Sequence, residues 1–388
     1  MWLRYGVDTN NKLIEIEDVA RGKTNLRCPY CGRTLIAKKG KVKEHHFTHN
    51  GETCNLIVKR EPRDIPHLPL YDAFNIFLSG KELEQLKKLW HRHKAHDNGI
   101  DRLEILPAFT REHLIETSQN INTATGRDSY QFTNLGLIPV GVLPLTLFNL
   151  LHKSLIEQKL TQLEASIFTN SGSVLPQKEL KFRLTDLRIY CAQMKKVLLS
   201  SLYYLKVQAD GRVLYKIGVT TRPMRKRLVE IYRDLRSHYG TVEIEVVNLW
   251  EKGGNVERYF KYRYGDFNYP IGSLTEYFRF ANPDDTQAVE RDLHKMETKT
   301  LSQIEQDVLE GKQDDFLAAL LSEGQIVEGD LRISDHVAAE LKQTFLSKPS
   351  SQRVTVALHQ GYSLREAAVM ASVSVEVARK VLAVMQKI

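Results

Sequence analysis

The chain is poor in cysteine: it has four among 388 residues, and three of them fall between Cys28 and Cys54. So few and so clustered, they argue against a disulfide framework. They suit metal ligation in a reducing compartment, and a cytoplasmic protein is expected. Long hydrophobic runs are also missing, and nothing reaches the roughly 18–20 apolar residues of a membrane span. The most apolar stretch, LGLIPVGVLPLTLFNLL (Leu135 to Leu151), carries two prolines and Asn149, and reads as buried core. The opening MWLRYGVDTNN turns polar within a few residues, so no secretory leader is expected. There is no internal repeat and no long low-complexity tract.

With 42% hydrophobic, 26% charged and 9% aromatic residues, wholesale disorder is excluded. The length allows two or three domains, each with a core. A formal charge of +8 and a pI near 9.1 lean toward polyanionic partners. The distribution says more than the total. Arg21 to Lys43 holds eight Lys or Arg and no acid; Tyr215 to Arg236 holds seven against Glu230 and Asp234.

Alternation in LIEIED and a Lys39-Gly40 turn in TLIAKKGKVKEHHF predict short strands near the N-terminus. Residues 61 to about 195 read mostly as helix, as in GKELEQLKKLWHRHKAH. Residues 200–285 mix strands with helices, and residues 286–346 return to charged amphipathic helix. TNSGSVLPQ (Thr169 to Gln177) and SKPSS (Ser347 to Ser351) read as linkers. The expected class is a multidomain α+β protein. Its divisions are 1–60, 61–198 of unassigned role, 199–285, a helical connector 286–346, and a helical unit 347–388.

Cys28-Pro-Tyr-Cys31 is followed after a hairpin by His46-Phe-Thr-His49. Two close pairs brought together by a hairpin suit a tetrahedral structural Zn²⁺, which stabilises a segment too small for its own core. His45 or Cys54 can stand in for one of the histidines. The stretch CPYCGRTLIAKKGKVKEHHFTH resembles the zinc-ribbon opening of competence-protein CoiA-like sequences over roughly residues 1–55. That resemblance implies the metal ligands and a link to DNA metabolism. The nuclease carboxylates that follow in that family are not apparent between residues 60 and 195. His91, His93 and His96 do not share one helical face, and a solvated basic face is expected there.

LYYLKVQADGRVLYKIGVTTRPMRKRL (Leu202 to Leu228) reads as a hairpin turned at ADGR that runs into a helix opened by Pro223. Gly218 is expected to end the second strand where a side chain would block a close approach. Arg225, Lys226 and Arg227 lie on the first helical turn, where free N–H groups and the dipole favour phosphate. The stretch resembles the phage-type branch of the GIY-YIG nuclease family, over about residues 200–280. The resemblance implies a catalytic tyrosine at Tyr203, an arginine at Arg227 and a Mg²⁺- or Mn²⁺-binding glutamate at Glu257. Lys216 replaces the second motif's tyrosine, and TEYFRF (Thr275 to Phe280) matches the acidic-aromatic ending.

GYSLREAAVMASVSVEVARKVLAVMQ (Gly361 to Gln386) predicts two short helices capped by Ser363 and Ser374, with Val375, Ala378, Val381 and Leu382 buried. It resembles the helix-turn-helix of recombinases and regulators, which implies Ser374, Glu376, Arg379 and Lys380 nearest the DNA. The expected function is a metal-dependent endonuclease on double-stranded DNA, targeted by the zinc ribbon and helix-turn-helix, in a mobile-element, recombination or defence setting. The alternatives are a DNA-binding regulator or recombination factor with an inactive nuclease fold, and an RNA-directed protein.

Overall fold

The computed structural model describes residues 3–40, 45–52, 54, 78–94, 99–122, 127–296, 300–313, 317 and 335–387. The chain begins with β1 (Tyr5–Val7), β2 (Leu13–Glu15), β3 (Gly22–Arg27), β4 (Thr34–Lys38) and β5 (His46–His49). Then come α1 (Gly80–His93), α2 (Pro107–Arg111), β6 (Ile115–Asn122), β7 (Arg127–Phe132), α3 (Leu145–Ala165) and α4 (Gln177–Leu199). The middle holds β8 (Ser201–Ala209), β9 (Arg212–Thr220), α5 (Met224–Arg236), β10 (Val242–Trp250), α6 (Glu257–Arg263) and β11 (Tyr277–Phe278). It continues with α7 (Pro283–His294) and α8 (Gln303–Glu310), then α9 (Asp335–Leu346), α10 (Pro349–His359), α11 (Leu364–Met370) and α12 (Val375–Met385). The class is mixed α and β, with antiparallel sheets. Among the described residues no helix is long and apolar enough to cross a membrane.

The chain gathers into two compact units, each assembled from segments distant in sequence: 1–68, 154–194 and 306–388 in the first, 69–153 and 195–305 in the second.

In the first unit the five N-terminal strands form one sheet in the order β2-β1-β3-β4-β5. A bridge from Leu3 to Phe47 ties the start of the chain to β5. Leu3, Tyr5, Ile16, Leu35, Ala37 and Phe47 pack on one another with Ile189 of α4. Tyr30 anchors the sheet further by donating to Asp186 of the same helix at 2.8 Å.

The C-terminal helices of this unit follow their sequence signals. Ser363 and Glu366 form a reciprocal capping box, and Ser374 accepts from the Val377 N–H. Val377, Ala378, Val381 and Val384 make the buried stripe of α12. The stripe corrects two expectations: Val375 is 38% exposed and Leu382 only half-buried, because both lie off the core-facing arc. Both proposed linkers are packed segments. Lys348 pairs with the buried Glu164 at 3.1 Å, and the Thr161 and Ser350 hydroxyls meet at 2.6 Å. Gly172 takes φ +76° beside the Ala383 backbone, where a Cβ would overlap the carbonyl.

The second unit is built on the antiparallel order β10-β8-β9-β11. The β8–β9 hairpin pairs from Ser201↔Thr220 to Ala209↔Arg212. Its two-residue turn has Asp210 at φ 45° and Gly211 at φ 75°, the positive values that match the twist of the strands. One sheet face carries Tyr203, Leu205 and Val207 against Ile231 and Leu235 of α5. On β8 and β9, Tyr204 stacks on Tyr215 with ring centroids 5.5 Å apart, and Phe280 lies 5.3 Å from Tyr215.

Three expectations change in this unit. Gly218 does not end its strand, which runs to Thr220; it does sit where a Cβ would overlap the Tyr203 hydroxyl. The region read as mostly helical contains the β6–β7 hairpin. IETSQNIN and RDSYQF lack apolar alternation, so periodicity gives no strand signal there. In the apolar stretch Ile138, Leu143 and Phe148 are buried, but Leu147 and Leu150 stay 39% and 66% exposed on the outward side of α3.

Candidate functional site

Two constellations stand out, one in each unit. In the first, Cys28, Cys31, His49 and Cys54 bring one ligand atom each to within 4.8 Å of the others. The turn after β3 arranges the first pair: the Cys28 N–H donates to the Arg33 carbonyl at 2.7 Å and the Gly32 N–H to the Cys28 carbonyl at 2.9 Å. Strand β5 then delivers His49, whose Nε2 lies 3.3 Å from the Cys31 Sγ.

The ligand set differs from the expected one at a single place. His46 is buried and lies outside the cluster, and Cys54 completes it. Register explains the exchange. His49 sits opposite Leu35, next to the Cys28–Cys31 turn, whereas His46 sits opposite Lys38. Three residues of strand amount to about 10 Å and reverse the side-chain face. An HxxH pair on an extended strand therefore cannot close on one ion. His45 instead faces Glu17, with Nδ1 3.0 Å from the carboxylate.

The donors fit zinc. A tetrahedron with bonds of about 2.0–2.3 Å has edges of roughly 3.3–3.8 Å; Cys31 and His49 stand at 3.3 Å, and all four ligand atoms lie within 4.8 Å of one another. Burial pushes the Cys28 thiol up to about 12, so a thiolate there needs a cation beside it. Burial, with Arg33 nearby, pulls His49 down, which keeps the imidazole neutral and able to ligate.

The second constellation is centred on β8 and β9. Tyr203 is fully buried, and its hydroxyl accepts from Arg227 Nε of α5 at 3.4 Å. Arg227 also reaches Glu230 at 2.9 Å. Lys216 of β9 is 4% exposed and donates to Glu276 at 2.6 Å. Its ammonium lies 4.6 Å from the centre of the Tyr277 ring. Tyr277 pairs directly with Lys216 across β9 and β11, which places Glu276 beside it. Lys261 continues the chain of charges, with Nζ 3.1 Å from Glu276 and 2.9 Å from Glu257. Glu257 is the first residue of α6, so Lys261 folds back over one helical turn to meet it.

Alternating charge sets the protonation pattern. Burial acts to raise the Glu276 carboxyl, but Lys216 and Lys261 outweigh it and hold the group at about 2. Burial pulls Lys216 down, and Glu276 opposes that pull. Lys261 is raised by Glu257 and Glu276 despite its own burial. Burial raises the Tyr203 phenol against the attraction of Arg227. The result is a row of two ammonium and two carboxylate groups with a neutral phenol and a guanidinium alongside.

Tyr203, Arg227, Lys216 and Glu257 thus lie on elements of one unit, and Glu276 and Lys261 join them. Sequence reading gave no role to those two. Lys261 had a signal, four residues after Glu257; Glu276 had only its place in TEYFRF. Arg225 and Lys226 are exposed on α5. On the C-terminal helices Ser374 is a cap, Arg379 is exposed, and Lys380 pairs with Glu376 at 3.6 Å. His93 pairs with Glu104 at 3.0 Å, and His96 lies outside the described residues.

Residues 9–56 match the family model of the competence protein CoiA N-terminal domain, a span that contains the whole Cys/His cluster. No curated protein and no solved structure matches the chain.

Proposed function

We propose that the protein is a Mg²⁺- or Mn²⁺-dependent endonuclease acting on DNA, with the β8–β9 constellation as its phosphodiesterase site. The observation that carries the reading is the convergence of Tyr203, Lys216, Arg227 and Glu257, in the order expected of a phage-type GIY-YIG nuclease, on one antiparallel unit. The N-terminal cluster is the structural zinc site of this scheme, and the C-terminal helices, with Ser374, Arg379 and Lys380, are its helix-turn-helix contact with DNA.

Glu257 would hold the divalent ion, which supplies Lewis-acid stabilisation of charge on the phosphate when bound. Glu257 suits that role, being a carboxylate at a helix start whose oxygen already faces a cation, the Lys261 ammonium. Arg227 keeps 28% of its side chain in solvent and is placed to take a phosphate oxygen. Tyr203 is buried behind it and orients the guanidinium through its hydroxyl. Lys216, locked to Glu276, supplies fixed positive charge to the site rather than a free base.

The test is cleavage of duplex, single-stranded and branched DNA and of RNA, with Mg²⁺ or Mn²⁺ and with EDTA. Metal-dependent cleavage is expected, and Glu257→Ala and Arg227→Ala should each abolish it. Cleavage that survives Glu257→Ala rejects the assignment of the site. A second reading, a DNA-binding regulator with an inactive nuclease fold, is favoured by the burial of Tyr203 and by the ion pair that occupies Glu257. Tight DNA binding without cleavage under any of these conditions would establish it.

A further inference from the structure

Helix α5 turns two different faces to its surroundings. Its inner side buries Ile231 and Leu235 and directs Arg227 to Tyr203. Its outer side carries Arg225, Lys226, Val229, Tyr232, Arg233 and Arg236, all exposed. At 100° per residue these six fall within an arc of about 120°. No acid lies in that arc. Glu230 is on the flank and is held by Arg222 at 2.6 Å and Arg227 at 2.9 Å; Asp234 is exposed but lies farther round the helix, outside the arc.

Two properties separate this face from an ordinary solvated one. None of the four cations forms an ion pair among the described residues. Among them stand two large apolar side chains, Val229 at 55% exposure and Tyr232 at 46%. Here unpaired positive charge and apolar area share one strip.

We propose that this outer face of α5 is a docking surface for the sugar–phosphate backbone of a nucleic-acid duplex. The inference rests on the phosphodiesterase reading of the adjoining site and specifies how its substrate is held. From Arg225 to Arg236 the strip runs about 16 Å. A B-form duplex presents one phosphate per ~1.7 Å of axis counting both strands, so several phosphates lie within reach of the strip. Arg225, Lys226, Arg233 and Arg236 neutralise phosphates, Val229 covers deoxyribose, and the Tyr232 hydroxyl donates to a phosphate oxygen. The convex helix makes no base-reading demand, so binding is sequence-independent. Arg227, on the same helix, then receives the scissile phosphate from the strand so aligned.

The experiment measures binding of the full-length protein to a fluorescein-labelled DNA duplex of arbitrary sequence by anisotropy over a salt series, without divalent metal. The variants are R225Q/K226Q, R233Q/R236Q and Tyr232→Ala, all at exposed positions, with circular dichroism to verify folding. Each double variant should lower the slope of log K against log salt by about 2, near 0.9 per phosphate contact. Tyr232→Ala should weaken binding and leave the slope unchanged. Unchanged slopes in both double variants overturn the proposal, as does wild-type preference for the single strand or for polyglutamate over the duplex, or absence of binding. Wild type that cleaves through Glu257 while both double variants bind normally sinks this inference alone. Slope losses as expected, in a protein that never cleaves, sink the nuclease reading and leave the docking surface standing.

Discussion

Lys216 and Glu276, 60 residues apart in sequence, meet with Nζ 2.6 Å from Oε2. The pair joins β9 to the segment before β11 and stands between Tyr277 and Lys261. It ties the two halves of the second unit's charge network, so its loss should be felt in stability before any question of catalysis.

Glu276→Gln leaves the Lys216 ammonium buried without its counter-charge. The expected cost is about 1–3 kcal/mol, below the about 3–5 kcal/mol of a fully buried pair, because 37% of the Glu276 side chain remains in water. The effect depends on pH with a definite sign. The carboxyl ordinarily titrates near 4.5 and is held at about 2 in the fold. Its contribution is therefore complete above about pH 4.5 and is lost as pH falls toward 2. Urea denaturation of wild type and variant should show the gap closing over that range. A gap of constant size from about pH 5 to about pH 2.5 contradicts the account.

The zinc cluster separates Cys54 from His46 by composition alone. Purified protein should carry about one zinc per chain, and Cys54→Ser should reduce it to well under half, measured by elemental analysis. His46→Ala should retain the metal. Retention in the serine variant together with loss in the alanine variant would reverse the ligand assignment.

At the β8–β9 crossing, Gly218→Ala places a methyl against the Tyr203 hydroxyl. Overpacking of this kind costs about 1–3 kcal/mol. Adding Tyr203→Phe removes the nearest atom and should recover part of that loss. Equal stability of G218A with and without the second change would show that the strain lies elsewhere.

In the first unit, Glu164 and Lys348 have side chains only 6% and 12% exposed and lie 3.1 Å apart. Lys348→Met strands the carboxylate and should cost about 3–5 kcal/mol in thermal or urea unfolding. Replacing both, as E164L/K348M, should recover most of it, since a matched apolar pair needs no counter-charge. No recovery in the double variant would mean that Gln313, which donates to Glu164 at 3.2 Å, and not Lys348, carries the contact.

Local signals determined a good deal. The Asp210-Gly211 turn, the caps at Ser363 and Ser374, the β8–β9 hairpin and the Cys28–Cys31 pair are all short-range, because each depends on backbone conformation over a few residues. The class of the protein and the CoiA-like N-terminus follow from the same kind of signal. What the tertiary structure alone decided are the matters of register and of distant meeting. Cys54 displaces His46 because strand pairing, invisible in a motif, places His46 opposite Lys38. Lys348 and Ser350 are packed and not a linker because α3, nearly two hundred residues earlier, supplies Glu164 and Thr161. Glu276 and Lys261 enter the charge network because β11 pairs with β9 and α6 turns one residue toward another four positions away. Their opposite charges then hold both groups ionised against the pull of burial, and which charges meet is a property of the whole fold.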